Sequence, residues 1–337
     1  MRPEMKKITF FIILMHVIFA PSLARAAEWK PLHTGSSGHE VYALKLLLLH
    51  RGYNPGKINT VFDQKTAGAL ISFQKSSGLN PNGTTEPDTW NKLIRTVGVS
   101  EQPKDKNAVR AIQYLLNNKY SFSSLDTDGN YGLETKAAVL LFQKNYETGA
   151  GGVNGMDGIA GAETWSCLIR DSKKVNDYKW VICIDFNCDR GLLGTLYTYD
   201  ASGANVLEIP CLGQSITMNP DWRQQYANTP LGCFRAAVSR RQRSPSEFGK
   251  YRCIELNDED VKAVTNGRDG ILIHSGSNKY KHKPDYTLPA GYKGLFAQTI
   301  QGLDQTHGCV RISGEDHARL YNTLKGTDIG IVSISER

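Results

Sequence analysis

One stretch of this chain repeats itself, and the repeat constrains what the front half can become. At an offset of 69 residues, Phe62-x3-Thr66-x6-Phe73-Gln74-Lys75 returns as Tyr131-x3-Thr135-x6-Phe142-Gln143-Lys144. Upstream, Val41, Leu44, Leu47 and Leu48 sit at helical spacing, and so do Val109, Ile112, Leu115 and Leu116. Downstream, Thr89-Trp90-x2-Leu93 matches Thr164-Trp165-x2-Leu168. Self-similarity at a fixed period marks a duplicated structural unit. Each copy reads as three short helices: the aliphatic one, a second from about Asp63 or Leu133 to the Phe-Gln-Lys, and a third from Glu86-Pro87 or Gly161 that carries the Trp. Pro87 suits a first helical turn, and Asn82-Gly83 and Asp128-Gly129-Asn130 are turn signals. Helices apolar on one side pack three around a shared core, so Phe73, Phe142, Trp90 and Trp165 read as core. The copies differ in one respect: Phe73 to Trp90 spans 17 residues and Phe142 to Trp165 spans 23, which places an insertion near 147–157.

Residues 1–26 read as a secretory leader. Lys6 and Lys7 precede an apolar run of 13 residues at 8–20, and Ala24-Arg25-Ala26 follows as a small-x-small cleavage pattern. A membrane-spanning helix needs about 20 apolar residues, so the expectation is a cleaved signal peptide, no transmembrane anchor in the mature chain, and residence in the periplasm or cell wall. The formal net charge is +7, of which the leader accounts for three, leaving the mature chain near +4. That mild excess suits an anionic polymer surface and is too small and scattered to argue for nucleic acid, so no nucleic-acid partner is expected. Seven cysteines in an exported protein imply disulfides with one thiol left over. Six of them fall between Cys167 and Cys253, and Cys309 stands apart.

From about Tyr178 the pattern changes to short β-rich runs: Trp180–Ile184, Asn205–Ile209, Gly270–Ile273 and Ile329–Ile334, separated by turn residues. Helices are expected around Asp258–Thr265 and over Gly314–Leu324, the latter capped by Ser313 with Glu315 and Asp316 in its first turn. Within this half, Thr306-His307-Gly308-Cys309-Val310-Arg311 puts a thiol beside a histidine and a glycine, and His274 ends another strand ahead of Ser275-Gly276. A free thiol is only a few per cent thiolate at neutral pH, so a nucleophilic cysteine needs a base within reach. Adjacent residues rarely aim both side chains at one point, so His274, brought in from a separate strand, is a better base for Cys309 than His307. Backbone amides around Gly308 are candidates to hold an oxyanion.

These motifs carry two family resemblances. The repeats resemble the peptidoglycan-binding domain family of three-helix modules, through Asp128-Gly129-Asn130-Tyr131-Gly132-x2-Thr135; the first copy, Lys57-Ile58-Asn59-Thr60-Val61-Phe62-Asp63, matches less well. Thr306–Arg311 resembles the Ser/Thr-His-Gly-Cys-apolar-Arg/Asn signature of L,D-transpeptidases, the YkuD-type catalytic domain. Ile273-His274-Ser275-Gly276 resembles that family's upstream histidine strand, and Thr229-Pro230-Leu231-Gly232-x-Phe234 its Thr-Pro-x-Gly-x-Phe motif. The implied organisation is a signal peptide at 1–26, repeats at 34–98 and 104–172, and a catalytic domain at 178–335. In fold class this is two small all-α three-helix domains followed by a mainly β L,D-transpeptidase-like domain.

The resemblance implies Cys309 as nucleophile and His274 as general base. It implies that Thr306 helps hold the site, that His307 and Gly308 surround the cysteine, that Ser275 and Gly276 follow the base, and that Arg311 supports substrate or loop geometry, a surface salt bridge being the plainer alternative. His274 and Cys309 are 35 positions apart, more than the family's usual spacing. The extra segment, 277–302, reads as an enlarged lid or substrate loop, with His282 in it as an exposed, non-catalytic residue. The implied function is an exported peptidoglycan L,D-transpeptidase in cell-wall biogenesis and cell shape, forming 3-3 cross-links or attaching partners to stem peptides through a cysteine thioester. An L,D-carboxypeptidase and a wall-binding protein with an idle catalytic domain are the alternatives. The implied partners are stem peptides and glycan, and no metal or organic cofactor is needed. A zinc peptidase fits poorly, because His39-Glu40 is followed at position 43 by Ala43 rather than histidine. For a glycan-cleaving enzyme, no carboxylate pair can be picked out.

Overall fold

In each copy of the repeat the chain forms three helices: α1 (His39–His50), α2 (Gln64–Ser76) and α3 (Pro87–Leu93), then α4 (Asn107–Tyr120), α5 (Leu133–Asn145) and α6 (Ala162–Ile169). The computed structural model describes residues 29–100, 103–146, 156–276, 299–300, 303–327 and 329–337. The leader, the inserted stretch at 147–155 and the segment 277–298 with His282 lie outside them. Asp63 caps α2, its carboxylate accepting the Thr66 amide at 2.9 Å. Trp90, Trp165, Phe73 and Phe142 are buried core residues. The two indoles donate to the Lys30 and Arg95 carbonyls at 2.9 and 2.8 Å, which satisfies their only polar atom.

The glutamine of each Phe-Gln-Lys is buried for a reason. Gln143 accepts the Gly158 amide at 3.0 Å and donates to the Ile159 carbonyl and Thr164 Oγ1 at 3.0 and 3.1 Å. Gln74 does the same for Gly83, Thr84 and Thr89. Gln113 of α4 repeats the pattern on Gly129, Asn130 and Thr135. A buried glutamine thus locks each Asp/Asn-Gly turn to the helix that follows it. Gln to Gly is 9 residues in the first copy and 15 in the second, so the insertion enters the loop without disturbing the lock. In the remaining loop a fully buried lysine, Lys45, takes the glutamine's place, donating to the Lys57 carbonyl and Asn59 Oδ1 at 3.0 and 2.7 Å. The weaker motif of the first copy follows from that replacement. The two copies dock through α1 and α4, with Tyr42 stacked on Tyr114 at 3.7 Å.

Beyond the repeats lies a sheet built from β1 (Trp180–Phe186), β2 (Gly194–Asp200), β3 (Asn205–Cys211), β4 (Gly232–Val238), β5 (Ile254–Leu256), β6 (Leu272–His274), β9 (Val310–Arg311) and β10 (Ile329–Glu336). A separate ribbon pairs β7 (Thr299–Ile300) with β8 (Leu303–Asp304). The strand order is β3-β2-β1-β10-β4-β5-β6-β9. The pairs β1/β10 and β6/β9 are parallel and the others antiparallel. Helices α7 (Pro245–Phe248), α8 (Asp258–Val264) and α9 (Gly314–Leu324) complete the domain. Ser313 caps α9 as expected, accepting the Asp316 amide at 3.0 Å.

Alternation along the strands gives the sheet two distinct faces. Ile182, Phe234, Ile254, Ile273, Val310 and Val332 point to one face and form a core with Leu320 and Leu324 of α9. On the other face, Val181, Cys183, Tyr199 and Ile331 join the core of the second repeat, whose α5 lies on β1. Glu255, Leu272, His274 and Arg311 alternate onto that same second face farther along the sheet.

The cysteines depart from expectation: all seven are free thiols. Cys183, Ser333 and Cys233 lie side by side on β1, β10 and β4. Two strand spacings, about 9.6 Å, therefore separate the two cysteines, more than the roughly 7 Å a bridge tolerates between Cα atoms. Cys167, Cys183, Cys211 and Cys253 instead serve as small apolar core residues.

Candidate active site

The site forms where two short parallel strands meet. In the β6/β9 register Ile273 lies opposite Val310 and His274 opposite Arg311. Cys309 immediately precedes β9, so by strand alternation it projects on the same face as Arg311, Leu272 and His274. Two histidine and cysteine motifs far apart in sequence are thus brought to one face of adjacent strands.

His274 is 3% exposed, and its Nδ1 lies 2.9 Å from the Ser275 carbonyl. A carbonyl only accepts, so Nδ1 carries the proton and Nε2 presents its lone pair. Burial, reinforced by the charge of Arg311, holds the imidazole well below its usual pKa, so it is neutral at neutral pH. The Ser275 peptide is itself held. His317 of α9 donates from Nε2 to the Arg252 carbonyl at 3.1 Å, which leaves its Nδ1 to accept the Ser275 amide at 3.3 Å and hydroxyl at 2.9 Å. A line of hydrogen bonds thus runs from α9 to His274.

Cys309 is half-buried, and its thiol makes a long contact of 3.8 Å to the Gly270 carbonyl. Burial pushes the thiol up, while the Leu272 amide and the charges of Arg311, Arg268 and Arg243 pull the other way. The net direction is upward, so Cys309 rests as a neutral thiol. Two hydroxyls fix its backbone: Thr306 Oγ1 and Thr229 Oγ1 reach the Cys309 carbonyl at 3.0 and 3.1 Å. Thr306 also accepts the Gly308 amide at 3.0 Å. That amide is therefore committed to the loop, and the expectation that it holds an oxyanion is revised. The Leu272 amide is the one that faces the sulfur.

Gly308 has φ +113°, and a Cβ there would lie 1.9 Å from Arg268 Nη2. Arg268 is 1% exposed; it donates to the Asn228 and Ala227 carbonyls at 2.7 and 3.2 Å and also to the Trp222 carbonyl. Burial lowers its pKa to about 10, and the nearby Cys309 opposes that shift. Gly276 is required by the same kind of crowding, since a Cβ would fall 1.7 Å from Arg311 Nη1. Arg311 is 4% exposed, which removes the surface salt bridge as its role. His307 packs edge-on against Tyr226 at 5.8 Å, and burial lowers its pKa.

Four residues around the site escaped sequence reasoning: Thr229, Arg243, Arg268 and His317. Thr229 belongs to the Thr-Pro-x-Gly-x-Phe motif, which by itself gives its side chain no role. The other three have no local pattern, because a lone arginine or a histidine on a helix is indistinguishable from a surface residue until the chain folds.

Comparison with known proteins adds to this geometry. Residues 37–93 and 105–168 match the family model of a putative peptidoglycan binding domain, and residues 194–333 match the L,D-transpeptidase catalytic domain model. Two Bacillus subtilis (strain 168) relatives, uncharacterized proteins FadG and YbfG, are 29% identical over 139 residues and 28% over 145. Those matches cover 39% and 42% of this chain but only 24% and 19% of the relatives' own lengths. Among solved structures, an L,D-transpeptidase from Xylanimonas cellulosilytica aligns at 16% identity over 91% of this chain and 98% of its own, with a TM-score of 0.25. Mycobacterium tuberculosis L,D-transpeptidase 1 aligns at 11% over 49% and 64%, TM-score 0.24. The SleB N-terminal domain aligns at 32% identity over 20% and 90%, TM-score 0.19. At TM-scores this low the assignment rests on the family models.

Proposed function

Because the chain carries an L,D-transpeptidase catalytic domain behind two peptidoglycan-binding segments, we propose that it is an exported enzyme that rebuilds peptidoglycan stem peptides through a thioester on Cys309. His274 Nε2 takes the thiol proton as the sulfur attacks the carbonyl of the third residue of a donor tetrapeptide. The resulting oxyanion develops in the field of Arg268, Arg311 and Arg243, each of which favours negative charge at this position. Collapse breaks the C–N bond, His274 returns the proton to the departing amine, and terminal D-alanine leaves. The amine of a neighbouring stem then attacks the thioester, gives its proton to His274, and the sulfur departs and is reprotonated, leaving a 3-3 cross-link. With water in place of the amine, the same steps yield a tripeptide stem.

The observation that carries this reading is the commitment of His274 Nδ1–H to the Ser275 carbonyl, which leaves a basic nitrogen on the strand beside the cysteine. The test is analysis of muropeptides from sacculi incubated with the wild type and with Cys309→Ala. New 3-3 dimers appearing only with the wild type support cross-linking, and tripeptides alone support carboxypeptidase action. Equal products from both proteins refute the cysteine mechanism.

A further inference from the structure

A cavity of about 420 Å3 opens beside the nucleophile on the second face of the sheet. Gly270 and Leu272, which contact Cys309 through a carbonyl and an amide, line one side of it; Tyr178, from the linker after the second repeat, lines another. Two arginines, Arg235 and Arg243, line this space, and Arg268 stands near the thiol beside it; Arg235 and Arg268 are already committed. Arg235 grips the buried carboxylate of Asp260 with contacts from 2.6 to 3.1 Å and also holds Asn257. Arg268 is held by backbone carbonyls.

Arg243 is placed differently. Its guanidinium lies 5.4 Å from the Phe248 ring, and that ring lies 5.0 Å from the His274 imidazole, so the cation is one side chain away from the base. Its charge acts on both His274 and Cys309. Its ion pair is a single contact of 2.9 Å to Glu255, with the two side chains 40% and 37% exposed. A pair that exposed holds its partners only weakly, and one contact leaves most of the guanidinium fork open for a second carboxylate.

Building on the thioester reading above, we propose that Arg243 binds the free C-terminal carboxylate of the residue that leaves the donor stem. That carboxylate is separated from the attacked carbonyl only by the scissile nitrogen and one α-carbon, so a peptide positioned on Cys309 holds it close to the thiol, where the charge of Arg243 reaches. Stems that end at this residue satisfy Arg243. Stems that continue carry a neutral amide there and do not. Arg243 is then the residue that measures donor length.

The experiment compares a synthetic donor tetrapeptide with its C-terminal carboxamide, reading Cys309-dependent release of the terminal residue. The quantity is the ratio of kcat/KM for acid over amide. A charge-assisted contact predicts a ratio of about 10–100 in the wild type. Arg243→Ala is expected to collapse that ratio towards one, and Arg243→Lys, which keeps the charge without the fork, to retain part of it. A wild type indifferent to amidation, or an Arg243→Ala variant that slows both substrates equally, overturns the assignment. Release that persists in Cys309→Ala refutes the thioester reading itself, which separates the two failures.

Discussion

Replacing Arg268 with methionine tests whether one buried cation both braces the site and tunes the Cys309 thiol. The guanidinium supplies the donors for the carbonyls of Trp222, Ala227 and Asn228 and lies against Gly308, next to Cys309. Methionine fills much of the volume and supplies no donor. A buried acceptor left without its partner costs about 1–3 kcal/mol, so three of them, partly rehydrated, cost about 3–6 kcal/mol. At roughly 2–4 °C per kcal/mol for a domain of roughly 150–250 residues, the melting temperature falls by about 6–24 °C. The same substitution removes a charge that favours the Cys309 thiolate, so the pH midpoint for alkylation of Cys309 by iodoacetamide moves further up. The assay pairs thermal denaturation with peptide-resolved mass spectrometry, since other thiols such as the exposed Cys188 also react. Arg268→Lys separates the contributions: it keeps the charge, and with it most of the thiol midpoint, but cannot span three carbonyls. An unchanged alkylation midpoint in Arg268→Met would reduce Arg268 to a strut, and an unchanged melting temperature as well would refute the reasoning outright.

Acid should destabilise the protein well before carboxylates titrate. His274, His307 and His317 are all held below the usual histidine pKa by burial. Below pH of about 6.5 the unfolded chain therefore binds protons that the native state refuses, and each group costs up to about 1.4 kcal/mol per pH unit until its native pKa is reached. Urea midpoints at pH 7.5 and 5.5 should differ accordingly, and equal midpoints refute this account. Gln143→Leu should cost about 2–4 kcal/mol, because the Gly158 amide and Ile159 carbonyl lose their buried partner. A loss below about 0.5 kcal/mol in denaturant titration means the lock is not structural.

The helical half was largely legible because its information is local. Apolar spacing, Asp63 as a cap and Pro87 in a first turn each act within a few residues, and the observed helices α2, α3 and α5 begin within a residue of where those signals put them. What the repeat offset hid was a finer unit, the glutamine lock used by Gln74, Gln113 and Gln143. Gln113 was invisible as a lock because its partner loop lies 15 residues away and its own neighbours are ordinary helix. The disulfide expectation failed for a related reason: cysteine count and export speak to compartment, whereas bridging depends on separations such as that between Cys183 and Cys233, set by which strands are neighbours.

By itself the sequence determined the chemical types available: a thiol in Thr-His-Gly-Cys, a histidine ending an apolar strand, and a glycine close to each. Those follow from bonding and sterics over a handful of residues. Only the tertiary structure decided which of them share a face, which nitrogen of His274 is left basic, and that Arg243, Arg268 and His317 surround the pair. Those facts depend on strand register and on burial, and both are properties of segments distant in the chain, settled when the sheet closes its hydrophobic side against α9 and the second repeat.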